Sequence, residues 1–243
     1  LETDLRGVPA HTLRDRLRAM ERNAHRLLRL VNQLLDFARL ESGRSEVSFE
    51  QRDLAAFVQP VVDGFQSFAL ARELDLGVAV KSDLPPVYID ADKLDTVLCN
   101  LLSNACKFTD PGGKVLVKLA ADERHVTIAV RDSGIGIETA DLERIFDRFL
   151  QADSTTARHY QGSGIGLALA KELTEQMGAR LTVDSDPGMG STFTVTLPRG
   201  TDHIQDQALI RQHQGSTADE ARPAVASRSL QSAAALSAEV GLD

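Results

Sequence analysis

The sequence contains few cysteine and aromatic residues. Its 243 residues include two cysteines and no tryptophan, and aromatic residues make up 5%. Cys99 and Cys106 are seven positions apart on a predicted helix, which separates their Cα atoms by about 10 Å, beyond the reach of a disulfide. Two thiols with no histidine at ligand spacing also exclude a zinc site. We expect both cysteines to be reduced and buried.

The chain also lacks a basic excess and long apolar segments. It has 27 Lys and Arg residues against 35 Asp and Glu residues, a net charge of -8 at pH 7. Nucleic-acid binding needs a clustered basic surface, which this chain offers only along its N-terminal segment, so we expect no nucleic-acid partner. No apolar run approaches the roughly 18 residues of a membrane span, and no signal peptide is evident. We expect a cytoplasmic module, with any membrane attachment in segments outside this one.

A helical pattern over residues 91–108 carries the first candidate ligand-binding residues. Asn100, Asn104 and Lys107 are spaced i, i+4, i+7 and share one face. The opposite face is an apolar stripe made by Leu94, Leu98, Leu101, Leu102 and Ala105. Two carboxamide oxygens and an ammonium group suit a magnesium-bound triphosphate, because Mg²⁺ takes hard oxygen ligands and keeps several from phosphate and water. A solvated helix face is the alternative.

Three glycine-rich motifs follow: DSGIGI at 132–137, GSGIGL at 162–167 and GMGSTF at 188–193. Asp132 ends the strand-like run HVTIAVRD, beside glycines that allow a planar ligand to approach the backbone. A buried carboxylate that accepts a hydrogen bond from an exocyclic amine would distinguish adenine from guanine. In this order, within one domain length, the motifs predict an ATP site.

The second glycine motif has the features of a phosphate-binding turn. Gly162, Gly164 and Gly166 precede the helical pattern LALAKELTEQM, and a helix start of this kind offers unpaired backbone N–H groups to phosphate oxygens. A Walker loop is excluded, because no lysine follows these glycines at the required place and no strand precedes them.

Taken together, the motifs resemble the ATP-binding domain of the histidine kinase, type II topoisomerase, mismatch-repair and chaperone ATPase superfamily. Within it, the similarity to sensor histidine kinases is close and covers about residues 11–198. NLLSNACKF (100–108) resembles their N box, IFDRF (145–149) their F box, and the three glycine motifs their glycine boxes.

The resemblance implies a role for each site residue. Asn104 would ligate Mg²⁺, Asn100 would support the metal and phosphates, and Lys107 would reach a phosphate. Asp132 would take the adenine amino group. The remaining nucleotide contacts that it implies are Gly134, Gly136, Ile137, Phe149, Gly162, Gly164, Ile165, Gly166, Leu167 and Thr192.

Asn100 bears on the reaction. The ATP hydrolases of the superfamily carry a glutamate general base where this chain has Asn100, and an amide cannot take a proton from water. We therefore expect the γ-phosphoryl group to pass to a protein side chain. Two alternatives stay open: a regulatory scaffold that binds ATP without catalysis, and a clamp ATPase of the same superfamily.

The N-terminal segment predicts a dimerisation helix. From Leu13 to Ala38 apolar residues recur at alternating spacings of four and three, at Leu13, Leu17, Met20, Ala24, Leu27, Val31, Leu34 and Ala38. Leu28 and Leu35 widen this seam, which suits a four-helix bundle. The stretch is similar to the second helix of the kinases' dimerisation and phosphoacceptor domain, so we expect a homodimer through residues 13–40. An amphipathic helix packed on its own domain is the alternative.

The kinases' phosphoacceptor motif is absent from the sequence. They present a histidine in a His-Glu/Asp-x-Arg-Thr-Pro context, and no such string occurs in these residues. His11 lacks the acidic neighbour and His25 lies within the predicted helix, so we interpret both as surface residues. We expect a chain that binds ATP without its own acceptor. The resemblance implies a phosphoacceptor domain and a response regulator or receiver domain as partners.

The predicted organisation has three parts. Residues 1–44 form the partial dimerisation segment, residues 45–198 the ATP-binding domain, and residues 199–243 a poorly ordered linker or tail. Residues 53–72 are predicted to form one helix with Asp53 near its N-cap. Strands interspersed with helices predict an α+β sandwich, with a mixed sheet covered by helices on one face. The polar segment 151–161 has no hydrophobic periodicity and is our candidate for a lid over the nucleotide.

Overall fold

The computed structural model describes residues 47–81, 84–148, 164–204, 209–210, 229–234 and 236–237, and positions 16, 20, 24, 27 and 31. Its strands are Glu50–Arg52 (β1), Asp75–Val80 (β2), Val87–Ile89 (β3), Lys114–Ala121 (β4), His125–Asp132 (β5), Arg180–Asp186 (β6) and Gly190–Pro198 (β7). Its helices are Leu54–Asp63 (α1), Gln66–Ala71 (α2), Ala91–Phe108 (α3) and Gly166–Gln176 (α4).

Five of the strands form one mixed sheet in the order β2-β4-β5-β7-β6. β2 pairs with β4 in parallel, and the other neighbours are antiparallel. Strands β1 and β3 make a separate antiparallel ribbon. The predicted α+β fold with a mixed sheet is confirmed.

One face of the sheet carries the core. Alternate residues of β4, β5 and β7 are buried on this face: Val115, Val117, Leu119, Val126, Ile128, Val130, Phe193, Val195 and Leu197. Helices α1, α3 and α4 lie against the sheet, and all five residues of the predicted apolar stripe of α3 are buried. Because side chains alternate along a strand, Asp132 and Ser191 belong to this same face, each two residues beyond a buried core residue.

Local signals set the helix starts. Asp90 caps α3 by accepting a hydrogen bond from the Lys93 N–H at 3.1 Å, and its other carboxylate oxygen accepts from the Ser48 N–H at 2.9 Å. Asp53 caps α1 in the same way through the Ala56 N–H at 3.0 Å. The predicted bounds of α3 and the predicted N-cap at Asp53 are confirmed, whereas the cap at Asp90 was not predicted.

The predicted single helix over residues 53–72 is wrong, because the chain breaks into α1 and α2. The break falls at Gly64, whose N–H bonds back to the Pro60 carbonyl at 3.1 Å. A Cβ on Gly64 would lie well inside contact distance of the Ser229 side chain. Glycine is therefore needed at this position because Ser229 packs against it, and not because of the helix itself.

The described part of the segment after Pro198 packs on the domain, which corrects the prediction of a poorly ordered linker for those residues. Phe49 donates its N–H to the Leu209 carbonyl at 2.9 Å and forms a parallel bridge with Ile210. Residues 229–234 and 236–237 are helical, and Ser229, Ala233 and Leu236 are buried. Few, widely spaced apolar residues make these contacts, so local composition did not reveal them.

The described positions of the N-terminal segment are all helical. Met20, Leu27 and Val31 are 68%, 63% and 51% exposed, and Ala24 between them is exposed as well. Their spacing places them on one face. The other members of the predicted seam lie outside the described residues. Within the described parts of the chain, no helix has the length and apolar character that a membrane crossing requires.

We expect Gly64→Ala to lower the free energy of unfolding by about 1–3 kcal/mol, because the added methyl group overlaps Ser229. Ser229→Gly in the same chain removes the overlapping atoms and should restore part of the loss, as measured by urea unfolding. Gly77→Ala is the control, since its Cβ would meet only the Leu116 side chain, at 3.8 Å. Equal losses at positions 64 and 77, with no rescue, would contradict the docking of the tail.

Candidate nucleotide-binding site

Asp132 is where three separate segments of the chain meet. It is the last residue of β5, its side chain is 5% exposed, and its Oδ1 accepts hydrogen bonds from the N–H groups of Gly134 at 2.9 Å and Ser191 at 3.2 Å. Both bonds fall on Oδ1. Within the described residues, no other residue donates a hydrogen bond to the second carboxylate oxygen, Oδ2, which can accept one from a ligand.

The segments around Asp132 approach so closely that only glycine fits between them. A Cβ on Gly134 would overlap the Phe108 carbonyl at the end of α3, and a Cβ on Gly136 would overlap the Asp186 carbonyl at the end of β6. A Cβ on Gly190 would overlap the Asp132 carbonyl. Gly136 and Gly190 also have positive φ angles of 66° and 87°, a second reason for glycine at these two positions.

Backbone hydrogen bonds hold these contacts in place. The Ile135 N–H donates to the Phe108 carbonyl at 3.2 Å, and the Gly188 N–H donates to the Ile135 carbonyl at 2.7 Å. The Ile137 N–H donates to the Ser185 hydroxyl at 2.9 Å. The loop 133–137 is thus fixed on one side to α3 and on the other to the hairpin of β6 and β7.

The electrostatics of Asp132 suit a ligand better than a structural role. Burial raises the pKa of its carboxyl above the usual range, although hydrogen bonds from the backbone N–H groups of Gly134, Ser191 and Asp132 itself act in the opposite direction. The charged form is therefore incompletely compensated by the protein. A donor such as the exocyclic amine of adenine would supply the missing hydrogen bond.

The polar face of α3 has the geometry of a ligand-binding surface. The Asn100 side chain donates from Nδ2 to the Thr96 carbonyl at 2.8 Å, which leaves its oxygen as the accepting end. Asn104 makes no hydrogen bond with the residues that the structure describes, although it is partly buried. Lys107 is 5% exposed, with Nζ 5.5 Å from the centroid of the Phe108 ring. A simply solvated helix face would leave Lys107 in water.

Cys106 shows that α3 and Asp132 are close. Burial raises the pKa of the Cys106 thiol to about 12, with a smaller contribution from the Asp132 charge in the same direction and an opposing one from Arg72. Cys99 and Cys106 are both buried and neither forms a disulfide, as predicted. A thiol with this pKa stays protonated and is not a nucleophile.

The glycine motif before α4 forms an uncapped helix start. Gly164 has a φ of 68°, and within the described residues no side chain caps the helix at Ile165. Ile165 is buried and Leu167 packs against the core, so these two residues orient the helix. α4 packs against α3, which carries the two asparagines.

The F-box segment is anchored by side chains of α4 and β7. The Phe146 ring meets Phe193 edge to face, with centroids 6.5 Å apart, and Lys171 Nζ lies 5.5 Å from the Phe146 centroid. Arg148 and Glu172 form a partly exposed ion pair at 3.8 Å. Phe149, Gly162 and the lid candidate 151–161 lie outside the described residues.

Thr192 does not lie on the face that holds Asp132. It pairs with Arg131 and Asp184, whose side chains are on the exposed face of the sheet. The neighbouring Ser191 lies on the buried face and contacts Asp132, while the contact that the resemblance implies for Thr192 stays a prediction. The alternation Phe193, Val195, Leu197 identifies Ser191, and the alternation Leu181, Val183 likewise places Ser185 on the buried face.

The residues present fit a magnesium nucleotide. Two amide oxygens on one helical turn and a nearby lysine suit Mg²⁺ and triphosphate, and the uncapped start of α4 suits phosphate. The buried carboxylate of Asp132, flanked by bare backbone, suits an amine-bearing planar base.

Comparison with known proteins agrees with this geometry. Residues 89–201 match the family described as histidine kinase-, DNA gyrase B- and HSP90-like ATPase. The sensor histidine kinase RcsC of Escherichia coli K12 is 36% identical over 182 residues, which are 74% of this chain and 19% of that protein. The chain thus spans about a fifth of the length of this curated relative.

Solved structures share the fold. Full-length ShkA in complex with AMPPNP has a TM-score of 0.68 and 32% identity, covering 76% of this chain and 38% of that one. The histidine kinase ThkA in complex with the response regulator TrrA has a TM-score of 0.65 and 20% identity, over 81% of this chain and 54% of that chain, a likeness of fold. Residues 89–201 therefore carry a domain of the histidine kinase-, DNA gyrase B- and HSP90-like ATPase family, and the curated relatives that the chain resembles are sensor histidine kinases.

Proposed function

We propose that this chain binds Mg-ATP and transfers the γ-phosphoryl group to a histidine outside these 243 residues. The observation that carries the proposal is the buried Asp132, whose Oδ2 accepts no hydrogen bond from any other described residue, set among glycines and beside the amide face of α3. ATP as substrate and the two reduced thiols, Cys99 and Cys106, agree with a cytoplasmic location.

Each group has one task in this scheme. Asp132 Oδ2 accepts from the adenine amine, and the loop 133–137 lies against the base. Asn104 is the ligand of Mg²⁺, Asn100 supports it, and Lys107 reaches a phosphate. The metal, when bound, neutralises charge on the phosphate oxygens. Transfer of this kind relies on positioning and charge neutralisation, so the protein needs no strong base at Asn100.

Asn100 argues against the clamp ATPase. A carboxamide cannot take a proton from water, and this one is held by its bond to Thr96. The intact set of Asn104, Lys107 and Asp132 argues against a scaffold without catalysis. The remaining partners that we assign are a dimerisation and phosphoacceptor domain and a response regulator, a class of protein that accompanies ThkA in its complex.

We also propose that residues 13–40 form a homodimer. The described members of the seam are helical, apolar and exposed. An uncovered apolar stripe of this spacing favours pairing with a second copy of the same helix.

Asp132→Asn should weaken ATP binding about tenfold to a hundredfold by removing a charged hydrogen bond. Its amide oxygen can still accept from Gly134 and Ser191, so the fold should survive. The raised carboxyl pKa means that the unfolded chain releases this proton at lower pH than the folded one. Ionisation therefore opposes folding as pH rises above about 4.

Calorimetric titration with ATP and thermal unfolding at pH 4 and pH 7 measure both effects. We expect the difference in melting temperature, variant minus native chain, to be more positive at pH 7 than at pH 4. Asp110→Asn, at an exposed position, is the control. Unchanged ATP affinity in a folded Asp132→Asn chain would remove Asp132 from the site.

Asn104→Ala should weaken ATP binding in the presence of Mg²⁺ and have little effect in its absence, because the amide oxygen is useful only to the metal. Titrations with magnesium and with EDTA make the comparison. Ser103→Ala, the preceding position on the same helix, is the control. An equal loss under both conditions would refute the ligand role.

Leu27→Glu together with Val31→Glu should convert a concentration-dependent dimer into a monomer without changing ATP affinity, because each buried residue contributes about 1.5–3 kcal/mol to association. Light scattering after size exclusion measures the mass. Leu70→Glu is the matched control, since Leu70 is 81% exposed on α2. A native chain that stays monomeric at high concentration would contradict the proposal.

The purified chain should bind Mg-ATP yet show neither stable autophosphorylation nor rapid hydrolysis. When a longer chain supplies the helix with the acceptor histidine, we expect phosphohistidine on that helix. Its phosphate bond should be labile in acid and stable in base. Rapid turnover by the isolated chain would instead support the clamp ATPase. Phosphate on His11 or His25 would show that our interpretation of those residues is wrong.

A further inference from the structure

Ser185 is a buried hydroxyl at the centre of the contact between the loop 133–137 and the hairpin of β6 and β7. It is not among the residues to which the resemblance assigns a role. Its Oγ is 2.9 Å from the Ile137 nitrogen, 2.9 Å from the Gly190 carbonyl oxygen and 3.0 Å from Ser191 Oγ. A hydroxyl can donate one hydrogen bond and accept two, so these three neighbours saturate it.

The three distances fix the direction of each bond. The Ile137 N–H can only donate and the Gly190 carbonyl can only accept. Ser185 therefore accepts from Ile137 and donates to Gly190, and the remaining bond is donated by the Ser191 hydroxyl.

The Gly190 carbonyl and the Ser191 N–H belong to one peptide group. That group receives the Ser185 hydroxyl at one end and donates to Asp132 Oδ1 at the other, at 3.2 Å. Because the peptide group is planar, fixing the carbonyl direction also fixes the N–H direction. Gly190 has a φ of 87° and no side chain to restrict the rotation of this group.

We propose that Ser185 is a positioning residue for adenine recognition: by holding the peptide group between Gly190 and Ser191, it sets the orientation of the Asp132 carboxylate, and by holding the Ile137 N–H it sets the wall of the base pocket. A hydrogen-bonded peptide group is also polarised, which strengthens the bond at its other end. This inference rests on the proposed role of Asp132 in nucleotide binding.

Two nucleotides separate positioning from general stability. Purine riboside 5′-triphosphate lacks the 6-amino group that Asp132 would bind, and is otherwise the same as ATP. Ser185→Ala should weaken binding of ATP about three- to tenfold, because the Asp132 hydrogen bond loses its geometry. The loss of binding free energy for the analogue should be less than half of the loss for ATP. Ser185→Thr retains the hydroxyl and should preserve the preference for ATP.

Calorimetric titration of the full chain with both triphosphates is the experiment. Thr182→Ala is the control: its hydroxyl bonds to a strand carbonyl at 3.5 Å on the exposed face of β6. Should Ser185→Ala fail to fold, Ser185→Cys keeps the volume but bonds weakly, and the same loss of preference is expected.

Equal losses for both nucleotides, or no loss, would overturn the inference and reduce Ser185 to a structural residue. If the native chain binds ATP no better than the analogue, the proposed role of Asp132 is wrong. The inference about Ser185, which rests on that role, is then wrong as well. A native preference for ATP that disappears in Ser185→Ala, and remains in Thr182→Ala, supports the positioning role.

Discussion

Backbone-to-backbone contact at Asp132 is the constraint on which the site depends. The end of α3, the loop after β5 and the turn before β7 approach one another so closely that Gly134, Gly136 and Gly190 leave no room for a Cβ atom. Each of these segments is far from the others in sequence. Their contact closes one end of the sheet and leaves a carboxylate facing a surface of bare backbone, against which a flat base can lie.

The same constraint explains why a charge is tolerated there. Isolated burial of the Asp132 carboxylate would be costly, and its raised pKa records part of that cost. The backbone N–H groups of Gly134, Ser191 and Asp132 itself compensate part of this cost, and a ligand would supply a further hydrogen bond. The site is thus less stable than an apolar core would be, and its stabilisation depends on nucleotide. Close packing around Ser185 and Ser191 keeps the carboxylate in one orientation, so binding need not reorganise the pocket.

Local patterns predicted the parts of the fold that local interactions determine. α3 has a capping aspartate, a continuous apolar stripe and a stop at Pro111, and its bounds agreed with the sequence. Long-range contacts were missed. The break at Gly64 serves Ser229, more than 160 residues away, and the tail packs through scattered apolar residues. The contact implied for Thr192 stays a prediction, since strand alternation places Ser191 on the face that holds Asp132. Ser185 looked like an ordinary strand residue, because its partners lie in the loop after β5 and at the start of β7.

ATP binding by two alanine variants of the last glycine turn tests the central claim most directly. Gly188 and Gly190 have similar φ angles, 76° and 87°, so alanine strains the backbone at both. Only at Gly190 would the new methyl group meet another segment; at Gly188 nothing lies within 4 Å. Calorimetry should find ATP affinity close to native in Gly188→Ala and lost in Gly190→Ala, with both chains folded. Equal affinities in the two variants would contradict the account.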